Sequence, residues 1–301
     1  MHTTFRVHIT RYSLLLTIIF SLTLASCLRE PDRDCPPEYR ISLNVKDKNY
    51  SNIAEVSQLL PVDESLSFNT YVGNISYQLQ NLENGEVMAD FSASPVTSDQ
   101  PLYTIEATNI PEGQYILTAL GNTDATILLR EASIQLHANN QEHPDTYLSH
   151  DTLTLSAAAT DHTLDMKRTK GLLLVLIENA PDSLTRVDEQ INHVEQYINR
   201  STAYSGETSI NKSFTQTFAP SAALQTWVAP TVDNKKSTFR LTLFAQNKAT
   251  PYSILPDIEL IIKRNEITVI RVNFVPDGVE IWIYLYGSWQ KLHNMDITTI
   301  N

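Results

Sequence analysis

The residues best suited to chemistry are four histidines and several aspartates in the middle of the chain. Asp145, Asp151 and Asp161 lie among the histidines, and imidazole with carboxylate groups binds transition metals. However, no two of these histidines have the i, i+4 spacing with which a helix presents two ligands, and no H-E-x-x-H motif occurs. We interpret the region as a polar loop between strands and predict neither a bound metal nor a cofactor. The histidines are His137, His143, His150 and His162.

The glycine count excludes several enzyme classes. The chain of 301 residues has only eight glycines, and the two closest, Gly113 and Gly121, are eight positions apart. A dinucleotide fingerprint, a P-loop and a G-x-S-x-G nucleophile elbow all need closer pairs. The formal net charge of −12 also argues against nucleic-acid binding, which depends on clustered Lys and Arg. No residue set predicts catalysis, so we expect a protein that is not an enzyme.

The N-terminus has the pattern of a lipoprotein signal peptide. Arg6 and Arg11 precede an apolar run over residues 13–24, which is shorter than the roughly 20 residues needed to span a bilayer. Leu24-Ala25-Ser26-Cys27 then forms a lipobox. We predict cleavage between Ser26 and Cys27, with a diacylglycerol on the Cys27 thiol and an acyl chain on its amine. An ordinary secretory signal followed by a chance cysteine is the alternative.

Apolar and polar residues alternate along most of the remaining chain, which is typical of half-buried strands. Residues 172–177 form a continuous apolar run, as in a strand buried on both faces. We further expect a hairpin that joins 258–262 to 267–274. The predicted strands are 39–45, 66–72, 75–79, 103–107, 114–120, 152–155, 162–166, 172–177, 237–246, 258–262, 267–274 and 280–289.

One segment, residues 183–198, has its apolar side chains at helical spacing. These are Leu184, Val187, Ile191 and Val194. The segment is either a helix throughout or, as we favour, a short helix that runs into a strand near residues 197–204. Elsewhere the strands recur every 8–15 residues with polar turns between them, which favours an all-β protein of two tandem β-sandwiches. We place a signal peptide at 1–26, a tether at 27–38, and the sandwiches at 39–167 and 168–301.

Aromatic residues offer two candidate binding surfaces. Trp227, Trp282 and Trp289 could form a sugar-stacking platform, although aromatic residues on strands more often belong to a core or an interface. The last predicted strand could present an edge to a partner, or be an ordinary internal strand. Its candidate interface residues are Ile281, Trp282, Ile283, Tyr284 and Trp289.

Two short motifs are candidates for glycosylation. Asp151-Thr152-Leu153 and Asp182-Ser183-Leu184 match the D-[ST]-apolar pattern that some Gram-negative anaerobes use as an O-glycan acceptor. Glycans on Thr152 and Ser183 would place both segments in surface loops.

Several segments, taken in order, resemble the FimB-like fimbrial anchor lipoproteins of type V fimbriae. They are CLREPDRDCPPEYRISLNV from Cys27, IPEGQYILTALGN from Ile110, MKRTKGLLLV from Met166 and RNEITVIRV from Arg264. The resemblance implies two transthyretin-like β-sandwich domains and a lipid anchor in the outer membrane of a Gram-negative anaerobe. It also implies that the protein binds shaft subunits of the same double-sandwich type, holds the fimbria at the cell surface and limits its length.

The resemblance leaves two alternatives open, a fimbrial tip or accessory subunit and a surface glycan-binding lipoprotein. Shaft subunits of such fimbriae lose their first strand by cleavage after a basic residue, and donor-strand addition then completes the sheet. Here Arg29 and Arg33 precede the first predicted strand and Arg40 lies within it. Cleavage at either tether arginine would remove the lipid and leave that strand, which suits an anchor.

The lipobox gives a direct prediction for the membrane fraction. Cys27→Ala removes the acylated thiol, so the protein should move from the membrane to the soluble fraction, because its attachment depends on the acyl chains. Immunoblots of the two fractions measure this. Cys35→Ala is the matched control and should stay with the membrane; equal behaviour of the two variants would contradict the lipid anchor.

Overall fold

The computed structural model describes residues 37–56, 59–123, 133–245, 249–285 and 287–295. Two single-turn 3-10 helices, Ile53–Glu55 and Phe68–Thr70, are the helical elements of these ranges, and all other regular structure is strand. The predicted all-β fold of tandem sandwiches is therefore confirmed. The predicted signal peptide, the lipobox with Ser26 and Cys27, and nearly all of the tether lie outside the described residues.

The first sandwich forms from a continuous sheet that folds over on itself. Its strand order is β3-β2-β5-β7-β8-β1-β4, and β7 meets β8 through only two residue pairs, where the sheet turns from one layer to the other. The layers enclose a core that includes Tyr39, Ile41, Tyr115 and Leu117. The strands of the first half are β1 Tyr39–Val45, β2 Asn74–Asn81, β3 Val87–Pro95, β4 Tyr103–Ala107, β5 Gly113–Gly121, β6 Ser133–Gln135, β7 Tyr147–Leu155 and β8 Asp161–Arg168.

Strand β1 is an internal member of its layer. It pairs in parallel with β8 on one side and antiparallel with β4 on the other. Its inward residues Tyr39, Ile41, Leu43 and Val45 are at most 1% exposed. The strict alternation in the sequence arises because every second side chain of β1 enters the core.

The second sandwich packs two sheets around a separate apolar core. Their orders are β14-β9-β18-β19-β20 and β13-β10-β15-β16, with β17 also paired to β15. The core includes Leu173, Val175, Ile191 and Leu243. The strands are β9 Gly171–Glu178, β10 Leu184–Val194, β11 Tyr197–Asn199, β12 Tyr204–Ser205, β13 Thr208–Thr215, β14 Ser221–Val228, β15 Ser237–Ala245, β16 Ser253–Ile254, β17 Ile258–Leu260, β18 Ile267–Val275, β19 Gly278–Leu285 and β20 Ser288–Met295.

A small third sheet ties the two halves of the chain together. It has the order β12-β11-β6, so it joins a strand that follows the first sandwich's β5 to two strands of the second half. Ile134, Leu148 and Ile198 share a buried cluster beneath it. Residues 38–301 accordingly form one compact unit.

The expected helix in residues 183–198 is wrong, because this segment is strand β10 followed by β11. Val187, Glu189 and Ile191 are buried at every second position, as in any strand. The pairing register shifts near Leu184 and again near Val194. At each of these bulges one extra residue increases the distance between successive buried side chains from two positions to three. Two bulges and one buried glutamate therefore produced the helical spacing.

Three further strand predictions need correction. Residues 66–72 contain the 3-10 turn Phe68–Thr70, which buries Phe68 and Val72 four positions apart. Strands β17 and β18 do not form a hairpin, because β17 pairs with β15 in one sheet and β18 with β9 and β19 in the other. Residues 280–289 are not one strand, since Tyr284 on β19 pairs with Trp289 on β20.

Glu189 is a carboxyl group inside the second core. It is 2% exposed, and neither of its carboxyl oxygens has a hydrogen-bond partner among the described residues. Burial raises the pKa of Glu189 to about 7. The folded protein therefore holds this proton up to about pH 7, whereas the unfolded chain releases it near the ordinary glutamate pKa of 4.5.

This buried acid predicts a pH-dependent effect of Glu189→Gln. Between about pH 4.5 and 7 the folded state binds more protons than the unfolded state, so stability falls as the pH rises. Glutamine resembles the protonated acid and lacks this dependence. The free energy of unfolding of the variant, measured in urea, should be close to wild type at pH 5 and larger by about 2–3 kcal/mol at pH 8.

The exposed Glu259 provides the control, because Glu259→Gln should show no such change between the two pH values. A difference between Glu189→Gln and wild type that is the same at pH 5 and pH 8 would contradict the buried-acid interpretation.

Candidate functional site at the junction of the sandwiches

Arg168, the last residue of β8, is the centre of a buried polar network. Its guanidinium donates from Nε to Asp145 Oδ2 at 2.6 Å, from Nη2 to Tyr147 Oη at 2.7 Å and from Nη1 to Asn265 Oδ1 at 2.9 Å. The side chain of Arg168 is only 6% exposed. Asn265 lies in the turn before β18, so one side chain connects the first sandwich with the second.

The backbone around Arg168 is held as firmly as its side chain. Asp47 accepts hydrogen bonds from the Arg168 N–H and from Arg264 Nη1, both at 2.9 Å. The ammonium of Lys170 is fully buried and donates to the carbonyls of His143 and Pro144. Burial lowers the pKa of Lys170 to about 7. Residues 168–170 are thus a buried connection between the two cores, whereas Lys167 is exposed.

One of the two carboxylate oxygens of Asp145 has no hydrogen-bond partner in the network. Its Oδ2 accepts from Arg168 and from Tyr147 Oη, whereas Oδ1 accepts no hydrogen bond from any described residue. Burial raises the pKa of Asp145, and the adjacent guanidinium acts in the opposite direction. With Arg168 at 2.6 Å, the group is best described as a buried carboxylate with one free acceptor.

A strap formed by residues 50–56 crosses from the first sandwich onto the outer face of the second. Asn52 makes a reciprocal pair of hydrogen bonds with the backbone of Ile267, at 2.8 and 2.9 Å. Val56, which is 1% exposed, packs in one cluster with Leu172 and Val269. The strap thereby covers apolar side chains of β9 and β18 that would otherwise face water.

The strap also stacks an aromatic ring on the polar network. The ring of Tyr50 lies 4.1 Å from the Arg168 guanidinium carbon, a cation–π distance. Burial raises the pKa of Tyr50, and the nearby charge of Asp145 acts in the same direction. The strap thereby places an aromatic ring directly over the buried guanidinium.

A cavity of about 440 Å³ opens beside these residues. Aromatic and apolar side chains that include Tyr50, Tyr71, Leu60 and Trp227 line it, together with polar groups that include Asp145. Its volume falls in the range of small-molecule sites, about 300–1,000 Å³. Aromatic walls, a few polar groups and shifted pKa values make this cavity a candidate binding site.

The backbone of Trp227 is held in place by a side chain from a neighbouring loop. Trp227 belongs to β14, the edge strand of its sheet, and its N–H donates to Glu142 Oε1 at 2.6 Å. Glu142 Oε2 pairs with Lys212 Nζ at 2.5 Å, and Lys212 donates to the Gln225 carbonyl at 2.6 Å. The ion pair of Glu142 and Lys212 thus occupies two backbone groups on the free edge of β14.

The five residues predicted as an interface divide between two faces of the sheet. Ile281 and Ile283 are buried in the second core, because side chains alternate along a strand. Trp282, Tyr284 and Trp289 lie on the outer face and remain available to a partner. Arg271 stacks there between the two indoles, 5.0 Å from Trp282 and 4.5 Å from Trp289.

The three tryptophans do not form one platform. Trp227 lies on β14 and the other two lie on β19 and β20, towards the opposite edge of the same five-stranded sheet. Of the candidate glycosylation residues, Thr152 is exposed on β7 rather than in a loop, and Ser183 is half-buried in the turn before β10.

The predicted polar loop of histidines is correct only in part: residues 136–146, with His137 and His143, form a loop between β6 and β7, but the other two histidines do not belong to it. His137 is fully buried, accepts the Ala229 N–H at Nε2 and places Nδ1 3.3 Å from the Gln141 carbonyl; burial lowers its pKa well below the usual value. His150 and His162 lie on β7 and β8. Within the described ranges no three His, Cys, Asp or Glu side chains converge as metal ligands. No helix in those ranges is long and apolar enough to span a membrane.

Comparison with solved structures identifies the fold. A candidate adhesin from Bacteroides ovatus superposes with a TM-score of 0.55 at 13% identity, over 89% of this chain and 98% of that chain. The chain has the double-sandwich fold of the fimbrial and adhesin proteins. A candidate polysaccharide-binding protein from Bacteroides thetaiotaomicron gives 0.52 at 11% identity, over 85% of this chain and 98% of that one.

The fimbrial anchor protein Mfa2 from Porphyromonas gingivalis is also similar. Its TM-score is 0.45 at 10% identity, with 87% of this chain and all of that chain covered. The fold that the sequence resemblance implied is confirmed by the superposition with the Bacteroides ovatus adhesin. The sequence matches no known family profile and no curated protein.

The polar network predicts a large effect of Arg168→Ala. The substitution leaves the Asp145 carboxylate buried without its guanidinium, which typically costs about 3–5 kcal/mol. Urea unfolding measures the loss. Arg240→Ala is the control, because Arg240 makes its two hydrogen bonds to Asp257 on the surface and should contribute little. Similar losses in both variants would contradict the assignment of Arg168 as the central residue.

Proposed function

We propose that this protein is a cell-surface fimbrial component that holds the base of a fimbria to the outer membrane and limits its length. The shared fold with an adhesin and the ordered fimbrial motifs support a fimbrial role. The lipobox at Cys27 supports attachment by acyl chains. Shaft subunits of the same double-sandwich type are the proposed partners.

The single observation that carries the anchor proposal is the position of β1. In donor-strand addition, an accepting subunit has an open groove in its sheet that a strand of the next subunit fills. Here β1 fills its place between β8 and β4, and its four inward side chains complete the first core. Cleavage at Arg29 or Arg33 would leave this strand in position.

Arg40 is the remaining basic residue near the start of the fold. Its side chain is exposed, but its backbone is paired on both sides, opposite Glu106 and Asp161. A protease that binds an extended segment would first have to separate β1 from both neighbours. This protection favours a protein that retains its first strand, as a terminal subunit does.

Deletion of the gene tests the anchor role. The mutant should release fimbriae into the medium and carry longer fimbriae, because both attachment and length control are lost. Electron microscopy and immunoblots of the cell and medium fractions measure this. Unchanged attachment with altered adhesion would instead identify a tip or accessory subunit and reject the anchor proposal.

Complementation separates the lipid from the fold. The wild-type gene and Cys35→Ala should restore cell-attached fimbriae, whereas Cys27→Ala should make protein that binds shaft subunits but leaves the fimbriae in the medium. Restoration of attachment by Cys27→Ala would show that the acyl chains are not the anchor.

A further inference from the structure

We propose that the junction cavity binds a saccharide of one or two pyranose units, with the ring of Trp227 as the stacking surface. This site goes beyond the fimbrial role and does not depend on it. Three observations carry the proposal. The indole of Trp227 is exposed and its backbone is held in place, a polar side chain beside it has no partner, and the described lining residues form no cluster of like charges.

Trp227 presents an exposed indole on a backbone that is held in position. It is 37% exposed, a large value for a tryptophan on a packed sheet. Its backbone N–H donates to Glu142, and its side chain lines the cavity together with Tyr50, whose ring lies over the buried Arg168. An aromatic face beside a cavity offers a flat apolar surface to the C–H face of a sugar ring and loses little side-chain entropy on binding.

A polar side chain beside this ring suits a ligand rich in hydroxyls. Gln225 lies two positions before Trp227 on the same outward face of β14, is exposed, and makes no side-chain hydrogen bond within the described structure. Its amide can both donate and accept. The unpartnered Oδ1 of Asp145 is enclosed by protein, so the exposed Gln225 amide is the polar group that a ligand hydroxyl would meet.

The charge of the lining argues against a phosphate or a strongly anionic ligand. The charged lining residues are Lys48, Asp145 and Arg168. Arg168 and Asp145 neutralise each other in a close ion pair. Lys48 lies on the exposed side, where its ammonium donates to the Glu64 carbonyl. No cluster of cations remains to bind phosphate, whereas a sugar needs none.

Apolar groups at the rim could instead receive a hydrophobic peptide. Leu60 is 87% exposed and Val62 is 42% exposed. A peptide would use these side chains and would have little need of the Gln225 amide. The exposed indole and this unpartnered amide favour the saccharide.

A glycan array probed with the full chain, extracted from membranes in detergent, tests the proposal. We expect binding to a restricted set of saccharides, followed by calorimetry with the free oligosaccharide that binds best. Trp227→Ala and Gln225→Ala should each weaken binding at least tenfold, and Trp227→Phe should keep part of it. The controls Trp282→Ala and Gln290→Ala, on β19 and β20, should bind within about twofold of wild type.

Three results would overturn the proposal. They are no saccharide bound on the array, binding that Trp282→Ala abolishes but Trp227→Ala does not, and binding to apolar peptides that free sugar does not displace. Trp227→Phe keeps the test valid if the alanine variant fails to fold. Cells that make Trp227→Ala should still carry attached fimbriae, so failure of this site and failure of the anchor role are distinguishable.

Discussion

The buried ion pair between Arg168 and Asp145 is the interaction on which the rest of this structure depends. Removing two charges from water is costly, and their mutual attraction offsets that cost only when the remaining donors and acceptors are also bonded. The guanidinium meets this requirement through Tyr147 and Asn265. Since Asn265 belongs to the second sandwich, the network that satisfies the charge also fixes where one sandwich meets the other.

The surface features follow from that buried pair in a short sequence of contacts. Tyr50 stacks on the guanidinium, and both Tyr50 and Trp227 line the cavity. The strap that carries Tyr50 is held by Asn52 against the backbone of Ile267. A change at the buried arginine should therefore alter the position of the Tyr50 ring and the shape of the cavity that this ring lines.

Strands that bury one face were readable from the sequence, because in segments such as Tyr39–Val45 the buried and polar residues alternate without interruption. Strand β10 was misread because its two bulges and the buried Glu189 hide the period of two. Strand β13 was missed because it is an edge strand in which Ile210 alone is fully buried.

The junction was missed for a different reason: Arg168 and Lys170 look like solvated linker residues, and no local pattern distinguishes a buried charge from an exposed one. Trp227 was recognised as a possible sugar-binding residue, but its separation from Trp282 and Trp289 depends on strand order.

The ion pair of Glu142 and Lys212 has a consequence for how copies of this protein can crowd together. A free strand edge exposes unpaired N–H and C=O groups, and such edges readily pair with one another. Here a carboxylate bonds the N–H of Trp227 and an ammonium bonds the carbonyl of Gln225, so a second copy would find both positions occupied. Where neighbouring copies meet often, side chains that block one edge keep single molecules from joining sideways into ribbons.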